Sequence, residues 1–268
     1  MKKPKPISLV EFLTIYKSRY IDLLKAGFFD TKDIMEFDKE GKVTNPVKLT
    51  RYLHLIPFTL KNISFVNSFI LPKLLGLIPL LKKNKYDLSL RFVEDYNILC
   101  SILGAFKPKS LFEIGTYLGW GSASVKYTFP DCRVTTINPL LNEDANNPVE
   151  KINIGKIFKI KNLKVRQIYG DSTVYDFSKL GDIDCIFIDG NHKYEYVKSD
   201  LNKSLLKAKK AVIVDDYLPK RYSRNDWGLV YGPWTDDVVR AVNNFCINNS
   251  KINKAYWIKG SKLAVLVK

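Results

Sequence analysis

The stretch DCIFIDGNH, residues 184–192, decides the fold. After Asp184 come four apolar or small residues, Cys185 to Ile188, and then Asp189, Gly190, Asn191 and His192. A strand buried on both faces reads as a continuous apolar run of this kind. Polar groups gathered at its carboxyl end stand where open α/β sheets bind ligands. His192 is one of two histidines in the chain. The other, His54, has no comparable neighbours and is read as structural.

Outward from this strand the pattern repeats. Apolar runs at 110–115, 133–138, 164–169, 184–189 and 210–215 are expected strands. Segments 120–128, 172–179, 194–208 and 236–248 are expected helices, as is 88–103 ahead of them. Such β-α alternation gives a parallel sheet with helices on both faces. Residues 255–258 and 263–267 flank Lys259-Gly260-Ser261 and read as a terminal hairpin, which makes the last strand antiparallel. The polar 139–163 segment reads as a surface loop with a short helix.

The first eighty-odd residues differ. Ser8 and Glu11 form a capping box ahead of Leu9, Phe12, Leu13, Tyr16, Tyr20, Leu23 and Leu24 at helical spacing. Residues 30–50 are polar and turn-rich. Residues 63–81 are nearly all apolar, but Pro72, Lys73, Gly76 and Pro79 interrupt them. Two short helices, packed on the core or at a homo-oligomer contact, suit this better than a membrane span. Peripheral membrane contact through 63–85 stays open, because Lys82, Lys83 and Lys85 follow. The expected organisation is a helical N-terminal extension, 1–86, and an α/β domain, 87–268.

Composition narrows the function classes. The formal charge is +16. It reflects either an acidic partner or a lysine-rich bias spread over solvated faces. The lysines are scattered and no nucleic-acid-binding signature accompanies them, so no specific nucleic-acid partner is expected. The four cysteines lie far apart with no CxxC pair. That pattern suits reduced, buried thiols and a cytoplasmic location. The N-terminus lacks an uninterrupted apolar segment with a cleavage site, so no signal peptide is read.

Two constellations carry chemistry. The first, SLFEIGTYLGWG at 110–121, sets Glu113, Gly115, Gly119 and Gly121 between a strand and a helix. Glycines allow a sharp turn and close approach to a ligand. Their spacing is not the G-x-G-x-x-G of a nicotinamide site. The second joins Asp189 and His192 to Asp215 and Asp216 at the end of the next strand. Adjacent strands lie about 4.8 Å apart. Three carboxylates there repel unless a cation lies between them, and oxygen donors suit Mg2+ or another divalent cation. Asp215 and Asp216 can both ligate only if the strand breaks there. His192 is a natural general base.

The glycine turn resembles motif I of class I S-adenosylmethionine-dependent methyltransferases. Asp189-Gly-Asn-His192 with Tyr194, Asp215-Asp216, and Asp237 to Phe245 resemble a subgroup with an I-D-G-x-H-x-Y segment. That subgroup contains small-molecule and sugar O-methyltransferases that need a divalent metal. The resemblance covers about 88–268 and implies a Rossmann-like fold. It also implies S-adenosyl-L-methionine and Mg2+ as cofactors, and a sugar, glycan or related hydroxyl as acceptor. It assigns Glu113, Gly115, Thr116, Gly119 and Gly121 to the donor, with Asp189. Asn138 stands where the family has an acid for the ribose; Glu143 or Asp144 could substitute. Asp171 and Ser172 stand at the adenine position, or cap the segment that follows. Asp189 and His192 are the expected catalytic residues, and Asp189, Asp215 and Asp216 the expected metal ligands. Tyr217 to Trp234, with Tyr222, Arg224, Trp227 and Tyr231, reads either as a lid over the site or as a contact with a neighbouring subunit.

Overall fold

A computed structural model describes residues 34–37, 43–46, 96, 99, 100, 102–104, 106–140, 153–218, 233–252, 254–258 and 262–268. The expected helix at 8–28, the apolar 63–81 stretch, His54 and most of the 217–234 segment lie outside the described residues.

The described strands form one sheet. They are β1 (Ile34–Phe37), β2 (Val43–Pro46), β3 (Ser110–Ile114), β4 (Arg133–Asn138), β5 (Val165–Tyr169), β6 (Ile183–Ile188), β7 (Ala208–Val214), β8 (Lys254–Ile258) and β9 (Ala264–Val267). Their order is β2-β1-β8-β9-β7-β6-β3-β4-β5. The run β5-β4-β3-β6-β7 is parallel. β9 joins β7 antiparallel, and β8 joins β9 antiparallel. The fold is thus the expected Rossmann-like sheet with an antiparallel end. From β3 the chain steps outward to β4 and β5, then returns to lay β6 on the other side of β3. The crevice between β3 and β6 is therefore the switch point, where such sheets bind ligands.

Two apolar layers sandwich the sheet, because successive side chains alternate faces. Phe112, Ile186, Ile188, Val212 and Val214 point to one layer. There they meet Val197, Leu201 and Leu205 of helix Tyr194–Lys207 and Val238, Ala241, Val242 and Phe245 of helix Pro233–Ile247. Leu111, Cys185, Phe187, Ala211 and Ile213 point to the other, against Leu99, Leu103 and Val125. Val125 belongs to helix Trp120–Thr128. In chain order we label these helices α1 (Trp120–Thr128), α2 (Lys156–Ile160), α3 (Tyr194–Lys207) and α4 (Pro233–Ile247).

Three expectations change. The 30–50 segment, read as turns within a helical N-terminal region, supplies β1 and β2. β1 pairs antiparallel with β8 and so takes up a sheet edge whose backbone groups need partners. Residues 172–179 do not form a helix. Asp171 Oδ1 accepts the Thr173 N–H at 2.7 Å and the Thr173 hydroxyl at 2.8 Å, closing a local turn. Only a 3-10 turn, Phe177–Leu180, follows, started by Asp176. Finally, α4 begins at Pro233, three residues before the expected start.

The four cysteines are free. Burial pushes the Cys100, Cys185 and Cys246 thiols up to about 12 and Cys132 to about 11. Thiols held so far from ionisation are poor nucleophiles and metal ligands.

Candidate active site

The site is built at the carboxyl ends of four parallel strands. Pairing Ile114 with Ile137 and Ile188, and Ile188 with Val214, aligns the residues that follow each strand. The ladder continues one step further. Gly115 N–H donates to Ile137 O (2.9 Å), Asp189 N–H to Ile114 O (2.8 Å) and Asp215 N–H to Ile188 O (2.9 Å). Asn138, Gly115, Asp189 and Asp215 thus stand side by side along one rim.

Each glycine of the turn is required by a neighbour. Gly115 has φ +97°, and a Cβ there would lie 1.8 Å from Asp189 O. Its bare backbone lets β3 and β6 close up at the switch point. A Cβ on Gly119 (φ +86°) would meet the Phe158 ring at 2.6 Å. On Gly121 it would lie 2.1 Å from Glu113 Oε1. Glu113 is buried and does not present a carboxylate to the crevice. It accepts from the Ser122 hydroxyl and the Ser122 N–H, which ties the start of α1 to β3. Its side chain braces the turn, facing the helix N-terminus.

Asn138 also braces the turn. Its Oδ1 accepts the Thr116 N–H (3.0 Å) and the Tyr117 N–H (3.1 Å), and its Nδ2 donates to Pro139 O (2.8 Å). One carbonyl oxygen serving two amides is a task an Asn performs without charge. Thr116 is buried and bonded through its hydroxyl to Thr136 at 2.7 Å, with Gln167 donating to it at 3.1 Å. Its side chain belongs to the scaffold.

The turn after β5 is held from below. Lys203 of α3 donates to Ser172 O (2.9 Å), Thr173 O and Tyr175 O (3.2 Å), and its ammonium lies over the Phe177 ring. Ser172 hydrogen-bonds the buried Asp200 carboxyl. Burial raises Asp200 to about 7, and raises Glu113 to about 8. Both acids therefore stay protonated in the fold at pH values where the unfolded chain ionises them. Their contribution is full below the ordinary carboxylate range and is lost as pH rises towards those values. Stability should fall between about pH 5 and pH 8, by on the order of 3 kcal/mol per acid. Urea midpoints across that range should show the slope, and Glu113→Gln with Asp200→Asn should flatten it.

Beside the glycine turn, His192 Nε2 lies 3.7 Å from Asp189 Oδ1 and 3.6 Å from Asp216 Oδ2. Burial pulls the imidazole down, but the nearby carboxylates of Asp189 and Asp216 outweigh it, so His192 titrates above its ordinary value. Burial raises Asp189 in turn, while His192 draws it back. The strand breaks after Val214, as two-sided ligation required, and Asp216 takes φ 55°. Its carboxylate turns to Lys262, ion-paired with Oδ1, and to Trp234, whose indole N–H donates to Oδ2 at 2.9 Å. Burial would raise Asp216, but the charges of Lys262 and His192 with the Lys262 and Trp234 hydrogen bonds together outweigh it and hold it below its ordinary value.

Residues 112–217 match the family model of a methyltransferase domain. The match starts in β3 and ends just past Asp216, so it takes in both constellations. No curated protein matches the chain by sequence. Among solved structures, the fold is similar to that of a Staphylococcus aureus protein designated a caffeoyl-CoA O-methyltransferase. That pair is 22% identical with a TM-score of 0.53, over 78% of this chain and 98% of that one. A second similar structure is the cofactor-bound Rv0187 of MTB, 16% identical, TM-score 0.52, over 76% of this chain and 94% of that one.

Within the matched segment, Asp189, His192 and Asp216 come together, with Asp215 at the neighbouring strand end. Asp171 and Ser172 follow β5, the strand beyond β4 in the same parallel run. Among the described residues, no group of three His, Cys, Asp or Glu is arranged to hold a metal ion. The expected ligand set Asp189, Asp215 and Asp216 does not fit a divalent ion as it stands, because Lys262 and Trp234 engage both Asp216 oxygens. Lys262 and Lys203 were not singled out from the sequence, and Trp234 was read only as the end of a segment forming a lid or a subunit contact. Lys262 was legible in principle: β7 and β9 pair Val214 with Ala264, and two more steps of that register set Asp216 opposite Lys262. Tyr194 of the D-G-x-H-x-Y segment is structural. Its ring lies under Arg240 of α4, 4.3 Å from the guanidinium carbon. No described helix is long and apolar enough to cross a membrane.

Proposed function

We propose that the chain is an S-adenosylmethionine-dependent O-methyltransferase acting on a hydroxyl of a sugar, glycan or related small molecule. The observation that carries this reading is His192 held between Asp189 and Asp216 at the rim where the glycine turn meets the switch point. The methyltransferase-domain match over the same residues supports it.

The residues fit the donor. Gly115 brings the turn against the Asp189 backbone, and the Asp189 carboxylate gives the rim negative charge suited to a cationic ligand. The turn with Asn138, Asp171 and Ser172 would hold S-adenosylmethionine, whose sulfonium supplies an electrophilic methyl group when bound. His192 takes the acceptor hydroxyl's proton, Asp189 orients the imidazole, and Asp216 stabilises the imidazolium that forms. The crevice holds the acceptor oxygen in place for in-line attack.

A second reading adds a divalent cation on Asp189, Asp215 and Asp216. Carboxylates at adjacent, in-register strand ends favour it, and the Lys262 ion pair opposes it. Peripheral membrane contact, self-association and a cytoplasmic location remain part of the proposal.

Calorimetry of the full chain with S-adenosylhomocysteine is expected to show one site of micromolar affinity. No heat at millimolar ligand would sink the enzyme reading. Radiolabelled methyl transfer to a panel of activated sugars and small catechols then identifies the acceptor class.

A further inference from the structure

We propose that Lys262 is the resident cation of this site: a tethered ammonium takes the place among the carboxylates that the sequence suggests for a divalent ion. The inference deepens the methyltransferase reading and rests on it.

The placement follows from backbone register. Lys262 precedes β9, and its carbonyl accepts the Tyr217 N–H at 2.8 Å, which continues the β7–β9 ladder past the end of β7. Across that extension Lys262 faces Asp216. The left-handed turn at Asp216 and the ladder contact at Tyr217 fix the carboxylate from the backbone side. The paired side chains are only 13% and 10% exposed, so solvent screens them little. Trp234 and His192 stand at the other carboxylate oxygen. A divalent ion would have to share both Asp216 oxygens with the ammonium and the indole N–H, and the charge of the ammonium opposes its approach. The ammonium is covalently attached, so holding it costs side-chain rotamer freedom but no translational entropy, and it cannot wash out. A positive charge is what allows Asp216 to stay ionised beside Asp189 and Asp215. Lys262 therefore acts as a positioning residue: it holds Asp216, and Asp216 steadies His192.

It follows that an added divalent ion must displace the ammonium to reach Asp216. Removing Lys262 leaves a buried carboxylate without its cation, and that vacancy should attract a metal. The test is manganese(II) titration of the full chain, followed by electron paramagnetic resonance, for the native protein, Lys262→Met and Lys262→Arg. The native protein and Lys262→Arg are expected to bind manganese only at millimolar concentration. Lys262→Met should bind one ion roughly tenfold or more tightly, and Asp216→Asn added to it should abolish the gain. S-adenosylhomocysteine calorimetry on each variant reports folding and the donor site separately. If the native chain fails to bind S-adenosylhomocysteine, the methyltransferase reading fails, whatever manganese does. Stoichiometric micromolar manganese binding by the native chain overturns the role of Lys262. So does a Lys262→Met protein that binds S-adenosylhomocysteine yet gains no metal affinity. Should Lys262→Met not fold, Lys262→Gln replaces it, and the native titration decides by itself.

Discussion

Gly115→Ala is expected to abolish S-adenosylhomocysteine binding and to destabilise the fold by several kcal/mol. Two costs combine. At φ +97° a side chain strains the backbone by roughly 1–3 kcal/mol. The added Cβ would also lie 1.8 Å from Asp189 O, 2.4 Å from Asp189 C and 2.8 Å from Gly190 N. All three are backbone atoms, so no side-chain rotation relieves the overlap. β3 and β6 must separate, against the Asp189 N–H to Ile114 O bond of 2.8 Å. Forced overpacking of this kind costs about 1–3 kcal/mol more. Gly181 provides an internal control. It also has positive φ, +69°, but nothing lies within 4 Å of its would-be Cβ. Gly181→Ala should therefore show only backbone strain, roughly 1–3 kcal/mol, and bind the ligand normally. Equal urea midpoints for the two variants would show that the approach of Gly115 to Asp189 does not matter.

The contrast between these glycines shows what the sequence could convey. Strand-to-helix position identified Gly115 as special, and the continuous apolar runs at β3, β6 and β7 identified the parallel sheet. Asp189 and Asp215 were placed at neighbouring strand ends because apolar runs of similar length end at both, and pairing in register brings the ends level. What stayed hidden depends on side-chain contacts across the fold. Glu113 looks like a ligand from its position, but burial turns it to Ser122. Asn138 looks like a weakened ribose contact, whereas its oxygen serves two turn amides. Residues 172–179 have helical spacing, but the Asp171 side chain competes for the local amides. Three carboxylates imply a cation of unspecified kind. Lys262 lay in a segment read only as the shoulder of a hairpin turn, and its meaning needed the antiparallel register.

The largest effect on turnover should come from His192. His192→Ala is expected to lower kcat by about 10²–10⁴-fold while changing S-adenosylhomocysteine affinity little, because a general base acts on the acceptor proton and not on donor binding. The pH dependence makes the assignment specific. A base must be neutral to accept a proton, so kcat rises as pH passes upward through the histidine's own titration. Asp189 and Asp216 move that titration above the ordinary 6.5, so the acid limb of the native profile should lie above pH 6.5. Asp189→Asn removes one of the two carboxylates that raise it, so burial weighs more against the Asp216 charge that remains. At saturating donor its limb should therefore move to lower pH, with a smaller maximum because the imidazole loses its orienting partner. The same shift carries a stability term of defined sign. A histidine with a raised folded value stabilises the fold at low pH and loses that contribution as pH rises through it. In His192→Ala the urea midpoint should consequently fall more at pH 5 than at pH 8. An acid limb that stays in place in Asp189→Asn, or a His192→Ala protein with near-native turnover, would assign the proton transfer to another group.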